Sequence, residues 1–363
     1  MGKYHLADDA KVFWDGDETF RVRKGIWNYT EAVLAIGGEE EKARDFYRRC
    51  ADALILERCF DPEAIGAAAG LDAEGLAAAA DNFSQLARQG FLHTEDQSFL
   101  TRSLVNLLSM SFTGIDDVKR VQPALFLSTD PTSAKVAGFL SDEMKYPLDM
   151  ADEALMAELS AVDLTTRSEA MEHLKAFERL EERLKPYSAI LGCFLRPPIG
   201  ALRNLNRVLV KLRIPLLLGF VDGPFLTLLC TSSPETGCFE CFEHRVLARL
   251  EDTAAYTSFV RKAVESGRKK EGEGKAHASL IGFLVSSVLA EGFLASSLRI
   301  NKLAGRIINV YLPTLEIQVQ DLLRVPYCPA CGSVAAADMD ELYTSGRAVI
   351  DRMLDKIQIV SPN

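Results

Sequence analysis

Four of the eight cysteines fall in two Cys-x-x-Cys pairs, Cys238/Cys241 and Cys328/Cys331. A Cys-x-x-Cys turn aims two sulfurs at one point, and two such turns bring four thiolates to a tetrahedral metal through bonds of about 2.3 Å. Gly237, Pro326, Pro329 and Gly332 supply the tight turns that this convergence requires. Four protein ligands leave no coordination position for a reacting water, so the spacing predicts one structural zinc per chain. The competing chemistry is a redox dithiol, which would stand as a single pair at a helix start. Cys50, Cys59, Cys193 and Cys230 lie singly in apolar or helical surroundings, which is not a disulfide framework. Cys193 and Cys230 have no histidine nearby in sequence and read as packing residues rather than nucleophiles. His5, His93, His173 and His277 lack ligand spacing such as His-x-x-x-His, and His244 adds nothing to a metal already held by four thiolates.

The elements that must position these cysteines begin near Gln122. Extended apolar runs alternate there with helical ones: Ala124–Ser128, a helix near Ser133–Met144, an amphipathic stretch to Leu184, and Tyr187–Phe194. Pro198 opens a helix carrying Leu202, Leu205, Leu209 and Leu212, followed by strands over Ile214–Phe220 and Phe225–Cys230. This βαβ rhythm predicts a mostly parallel sheet. Arg306–Leu312 and Leu315–Val319, joined at Pro313-Thr314, read as a hairpin, and the charged run 266–275 as a flexible segment.

The first hundred residues obey a different grammar. Phe20 and Val22 alternate with Arg21 and Arg23 after an Asp15-Gly16 turn, which predicts a β-hairpin, and Gly25–Tyr29 reads as a third extended piece. Ala43, Phe46, Cys50 and Leu54 form one helical stripe; Asp61-Pro62 and Asp72 cap two further helices that end at Gly70 and Gly90. Three strands and three helices make a winged-helix-like domain over residues 1–100, with a linker at 101–120 that contains an unassigned apolar run, 104–112. An α/β domain with the cysteine site then occupies 121–363. A net charge of −10 disfavours nucleic acid as a partner. The N-terminus lacks a basic-then-apolar signal pattern, and the apolar stretches Ile214–Cys230 and Ala278–Ile300 read as buried core, so no membrane partner and a cytoplasmic location are expected.

The segments around Cys238–Arg245 and Val325–Gly332 resemble the ThiF/MoeB-like, ubiquitin-activating-enzyme-like superfamily. Together with the N-terminal run Phe20–Tyr29, the chain resembles a narrower group within it: the ThiF-like partner proteins of YcaO cyclodehydratases, which act in thiazole/oxazole-modified microcin (TOMM) biosynthesis of the streptolysin and microcin type. The resemblance implies a ThiF/MoeB-like Rossmann-type domain with its zinc staple, preceded by a precursor-peptide recognition element to which a leader peptide adds as a strand. The matching surface is strand Thr19–Lys24, with Phe20, Arg21, Val22, Arg23 and Lys24, extended through Trp27 and Tyr29, and Asn82, Gln85, Arg88 and Gln89 on the helix Asp72–Gln89. Phe20, Val22, Phe83 and Leu86 read as internal core rather than groove. Arg21, Arg23, Lys24 and Arg88 read as exposed groups able to pair acidic leader residues.

Adenylating relatives carry a glycine-rich phosphate loop after the first strand, where this chain has Ser128–Ala134 and no Gly-x-Gly-x-x-Gly. An acidic magnesium ligand is likewise missing from Leu191–Pro198. Arg203 and Asn206 are similar to an Arg and an Asn of those relatives, and an exposed helix face accounts for them as well. The reading is a non-catalytic scaffold with zinc and no ATP, whose partners are a leader peptide, a YcaO cyclodehydratase and a flavin-dependent azoline dehydrogenase, with a homodimer left open. The alternatives are an adenylating ThiF-like enzyme and a winged-helix metal-sensing DNA-binding regulator.

Overall fold

In the computed structural model, which describes residues 2–94, 121–165, 170–266, 278–298 and 301–332, the chain divides into a unit ending at Arg120 and one beginning at Val121. The expected linker 101–120, its apolar run 104–112 and nearly all of 266–275 lie outside the described residues.

The first unit opens with β1 (Tyr4–Leu6), then β2 (Ala10–Trp14), β3 (Thr19–Lys24) and β4 (Thr30–Ala35). Helix α1 (Glu41–Leu56), β5 (Cys59–Phe60), α2 (Pro62–Ala69), α3 (Ala73–Arg88) and β6 (Leu92–Thr94) follow. Two antiparallel sheets result, in the orders β2-β3-β4 and β5-β1-β6. Six strands therefore replace the expected three: β1, β5 and β6 have only two or three residues each, too few for a readable alternation. The third strand of the hairpin sheet is Thr30–Ala35 rather than Gly25–Tyr29, because Gly25 takes φ +82 and turns the chain. Aspartates cap both later helices. Asp61 accepts the Glu63 and Ala64 N–H groups, Asp72 accepts that of Gly75, and Gly70 closes α2 at φ +68. Phe20, Val22, Phe46, Cys50, Leu54 and Phe83 form one fully buried cluster. Phe20→Ala is therefore expected to cost about 3–5 kcal/mol of stability, read by denaturant unfolding through Trp14, whose ring meets Phe20 at 5.6 Å.

The second unit runs β7 (Ala124–Leu127), α4 (Pro131–Met144), β8 (Leu148–Met150), α5 (Glu153–Ala161), α6 (Ala170–Leu184), β9 (Ala189–Phe194) and α7 (Ile199–Leu212). It continues with β10 (Leu216–Asp222), β11 (Phe225–Thr231), α8 (Phe239–Leu247), α9 (Thr253–Ser266), α10 (Ala278–Leu298), β12 (Arg306–Tyr311) and β13 (Glu316–Asp321). The sheet order is β13-β12-β11-β10-β9-β7-β8, parallel from β8 to β10 and antiparallel from β10 to β13. Helices α5, α6 and α7 bury one face around Leu125, Ile190, Leu218 and Phe220. Helix α10 lies against β9 and β10 and α4. Its approach to the sheet is close: a Cβ on Gly219 would stand 2.9 Å from the Leu284 side chain, and one on Gly292 2.6 Å from that of Leu191. Residues Ser279–Ser297 of this helix are long and apolar enough to cross a membrane, yet Leu284, Val285, Leu289 and Phe293 are buried inside the fold. The amphipathic stretch before Leu184 is two helices, preceded by the short strand β8.

Candidate functional site

The cysteines sit just beyond two strand ends. Cys238 is the N-cap residue of α8 and Cys241 lies in its first turn, while Cys328 and Cys331 follow β13. The approaching segments are tied by the Gly237 N–H, which donates to the Leu322 carbonyl at 3.1 Å. A Cβ on Gly237 would come within 2.9 Å of the Leu323 carbonyl oxygen, and one on Gly332 within 2.5 Å of that of Pro326, so both turns need glycine.

The sulfurs of Cys238 and Cys241 are 3.8 Å apart, those of Cys238 and Cys328 3.6 Å, and those of Cys241 and Cys331 3.4 Å. Thiolates at the corners of a tetrahedron of 2.3 Å bonds would be about 3.8 Å apart, whereas a disulfide would need about 2.0 Å. All four side chains are buried and could hold a metal ion. Hydrogen bonding with Cys238, Cys328 and Cys331 pulls the Cys241 thiol down, and hydrogen bonding with Cys241, Cys328 and Cys331 pushes the Cys238 thiol up.

A shell of charges surrounds the cluster. Arg207 forks onto Glu240 at 2.6 and 2.8 Å and donates to the Pro329 carbonyl at 2.8 Å. Burial pushes the Glu240 carboxyl up, opposed by Arg207. Asn206 accepts the Phe239 N–H at 2.9 Å and points its amide N–H at the Cys238 sulfur, 3.6 Å away. The Val325 N–H reaches the Cys241 sulfur at 3.3 Å. Arg203 holds Glu243 at 2.6 and 2.8 Å, and the Tyr256 hydroxyl donates to the same carboxylate at 2.6 Å. Arg203 and Asn206 are thus not an exposed helix face: Asn206 is buried, and both are engaged around the cysteine cluster. Arg207, Glu240, Glu243 and Tyr256 escape sequence reasoning because their partners are distant in the chain. Asn206→Leu leaves the Phe239 N–H without its acceptor and is expected to cost about 1–3 kcal/mol in a denaturant titration, with faster loss of metal to a chelator.

Cys193 is buried and its thiol is pushed up by burial; Cys230 is pushed up to about 12 by burial, in spite of the Asn301 amide at 2.7 Å. Neither is a thiolate near neutral pH. After β7 the Asp130 carboxylate caps the start of α4. It accepts the Ser133 N–H at 2.8 Å and its hydroxyl at 3.0 Å.

The expected peptide-contacting residues are scattered in role. Phe20 and Val22 belong to the core, and Lys24, only 7% exposed, pairs with Asp9 at 3.0 Å. Arg21 bridges Asp15 and Glu31, and Arg23 bonds Glu31 at 2.9 Å with its guanidinium 3.9 Å from the Tyr29 ring centre. Asp15 and Glu31 thus match the charge of Arg21 and Arg23. Strand β3 is moreover central, paired on both sides, so Thr19–Lys24 offers no edge. Asn82 donates to the Tyr47 hydroxyl at 2.7 Å, Arg88 meets Asp81 at 3.5 Å, and Gln85 and Trp27 are exposed, Trp27 at 89%.

No protein-family model matches the sequence. No curated protein matches it either. The fold is similar to that of the heterocyclase TruD, with TM-score 0.58 and 16% identity over 92% of this chain and 43% of that one. It is similar also to a heterocyclase in complex with substrate and cofactor, with TM-score 0.57 and 13% identity over 92% of this chain and 40% of that one. The microcin C7 biosynthetic enzyme MccB, in complex with N-formylated MccA, has TM-score 0.51 and 13% identity over 91% of this chain and 100% of that one. The chain thus spans well under half the length of the two heterocyclases and the whole of MccB. What is shared is the fold, a mixed α/β architecture around a large, partly parallel sheet.

Proposed function

We propose that this chain is a leader-peptide-binding scaffold in the formation of heterocycles on a ribosomally made peptide. It presents Cys, Ser and Thr residues of the precursor to an ATP-dependent YcaO partner. The observation that carries this reading is the edge of β4. The Ile36 N–H donates to the Glu18 carbonyl at 2.7 Å, and with the β3–β4 register this alternation turns the backbone groups of Glu31, Val33 and Ala35 away from β3. An extended peptide can add there. Val33 is half exposed on this strand, and Trp27 and Tyr29 are exposed in the segment leading into it. With Arg21 and Arg23 already neutralised, selectivity would come from apolar and aromatic contacts.

The fold likeness to two heterocyclases supports the reaction class, and the Asp130 cap supports placing the ATP chemistry in the partner. On this reading the N-terminal unit is a winged-helix-like recognition element, the cysteine cluster holds a structural zinc, and the complex works in the cytoplasm. A flavin-dependent dehydrogenase would oxidise azolines where azoles form. Adenylation is the second reading, favoured by the likeness over the whole length of MccB, and it requires phosphate where Asp130 stands. Isothermal titration with the leader of a precursor encoded beside this chain tests the proposal. Micromolar binding is expected, and no binding with or without the YcaO partner would sink it.

A further inference from the structure

Helix α10 covers one face of β9, β10 and β11, and Cys230 belongs to that face. It stands two residues from Leu228, whose side chain meets Leu284 and Val288 of the helix around Gly219, and successive side chains alternate between faces. From the helix, Glu291 is buried at 9% exposure. From the loop before β12, Asn301 brings its amide nitrogen to 2.7 Å from the Cys230 sulfur. The Gly305 N–H donates to the Cys230 carbonyl at 3.0 Å and fixes this loop beside the strand.

Two oxygens at this place lack the partners that burial demands. Glu291 Oε2 and Asn301 Oδ1 are both buried and have no hydrogen-bond partner among the described residues. Buried acceptors are rarely left so, and each one calls for something bound. The other carboxylate oxygen of Glu291 is held by Lys302 at 3.4 Å, through a side chain that is 43% exposed and can swing outward. Burial pushes the Cys230 thiol up to about 12, and the Glu291 carboxylate is near enough to add to that rise. A cavity of about 10 Å³, lined by Glu291, Ser287, Leu217 and Leu303 among others, adjoins the carboxylate and has room for one water.

We propose that Cys230, Glu291 and Asn301 form a second metal site, for a divalent ion of the zinc class, with a water in the cavity as the fourth ligand. The donor set chooses the ion. Magnesium and calcium take oxygen ligands and pass over a thiolate, copper(I) prefers sulfur to carboxylate, and zinc accepts thiolate and oxygen in one tetrahedron. The ion deprotonates the thiol that burial otherwise keeps neutral. One thiolate and one carboxylate then cancel its double charge, so no net charge is buried. Three protein ligands hold it less tightly than the four thiolates of the cysteine cluster, and Lys302 competes with it for Glu291. The site therefore fills when metal is added rather than keeping its ion through purification.

The test titrates the full chain, already carrying one equivalent of zinc, with cobalt(II) under equilibrium dialysis. One further equivalent is expected to bind at micromolar cobalt, with a thiolate-to-cobalt absorption band in the near ultraviolet and no loss of zinc. Cys230→Ala should lose both the band and the equivalent. Even groups that only support a metal ligand are worth about 10–100-fold in affinity, so Glu291→Gln, which keeps the shape and removes the charge, should weaken cobalt binding at least tenfold. Both variants should keep the zinc content and circular dichroism of the unsubstituted chain, because the four-cysteine cluster is untouched. No further equivalent of cobalt, a band that survives Cys230→Ala, or an affinity unmoved by Glu291→Gln would each overturn the proposal.

Discussion

Replacing Cys238 with serine is expected to abolish metal retention and to unfold the cysteine-bearing end of the second unit. The segments that meet there are Ser232–Gly237 from β11 and Leu322–Tyr327 from β13, joined by the cluster, by one backbone bond and by Arg245 of α8, which donates to the Asp321 and Leu323 carbonyls. The tie between Gly237 and Leu322 is one backbone hydrogen bond, worth about 1 kcal/mol net, against about 10–16 kcal/mol for a structural zinc in small finger peptides. That is comparable with the whole stability of an ordinary domain, about 5–15 kcal/mol. The Arg207–Glu240 pair sharpens the effect. Once Cys328–Cys331 detaches, Arg207 loses the Pro329 carbonyl and a buried ion pair opens to water. Metal analysis of freshly purified protein should give about one zinc per unsubstituted chain and close to none for Cys238→Ser, with an earlier unfolding transition. Zinc-free unsubstituted protein of undiminished stability would refute the assignment.

Val33→Pro is expected to weaken leader binding about ten- to a hundredfold, which is about 1.4–2.7 kcal/mol. The Val33 N–H faces away from β3, so the fold loses no ladder bond, while an added strand loses a donor and meets the ring of proline. Calorimetry on Val33→Pro and Arg21→Ala separates two ideas. If the backbone edge carries affinity, the proline change is severe. The arginine change is then mild, because Arg21 is already paired with Asp15 and Glu31. The reverse order would restore charge recognition at β3.

The cysteine cluster is legible in the sequence because two short-range pairs encode both the ligands and their turns. The long elements are legible too: α7 and the strands β9, β10 and β11 follow from uninterrupted apolar runs bounded by proline and by an Asp222-Gly223 turn. What escapes is whatever depends on chain-distant partners. Arg207 finds Glu240 across 33 residues and Arg203 finds Glu243 across 40, and no local pattern announces either pair. The aromatic run Ile26–Tyr29 misleads in the opposite way. It has strand-forming residues, but Gly25 turns the chain before it and leaves Ile26 and Trp27 in solvent. Strand β4 then follows from a segment, Thr30–Ala35, with little aromatic or β-branched content to mark it. The outer strand of this sheet is therefore β4, with β3 central.

If, as we propose, this chain binds the peptide and its partner performs the ATP chemistry, neither protein forms a ring alone. Mass spectrometry of the precursor peptide, incubated with ATP and magnesium with each protein alone and with both, tests it most directly. Loss of one water per ring is expected only when both proteins are present, with the chain alone leaving the peptide untouched and unadenylated. Adenylated or cyclised peptide formed by this chain without its partner would contradict it.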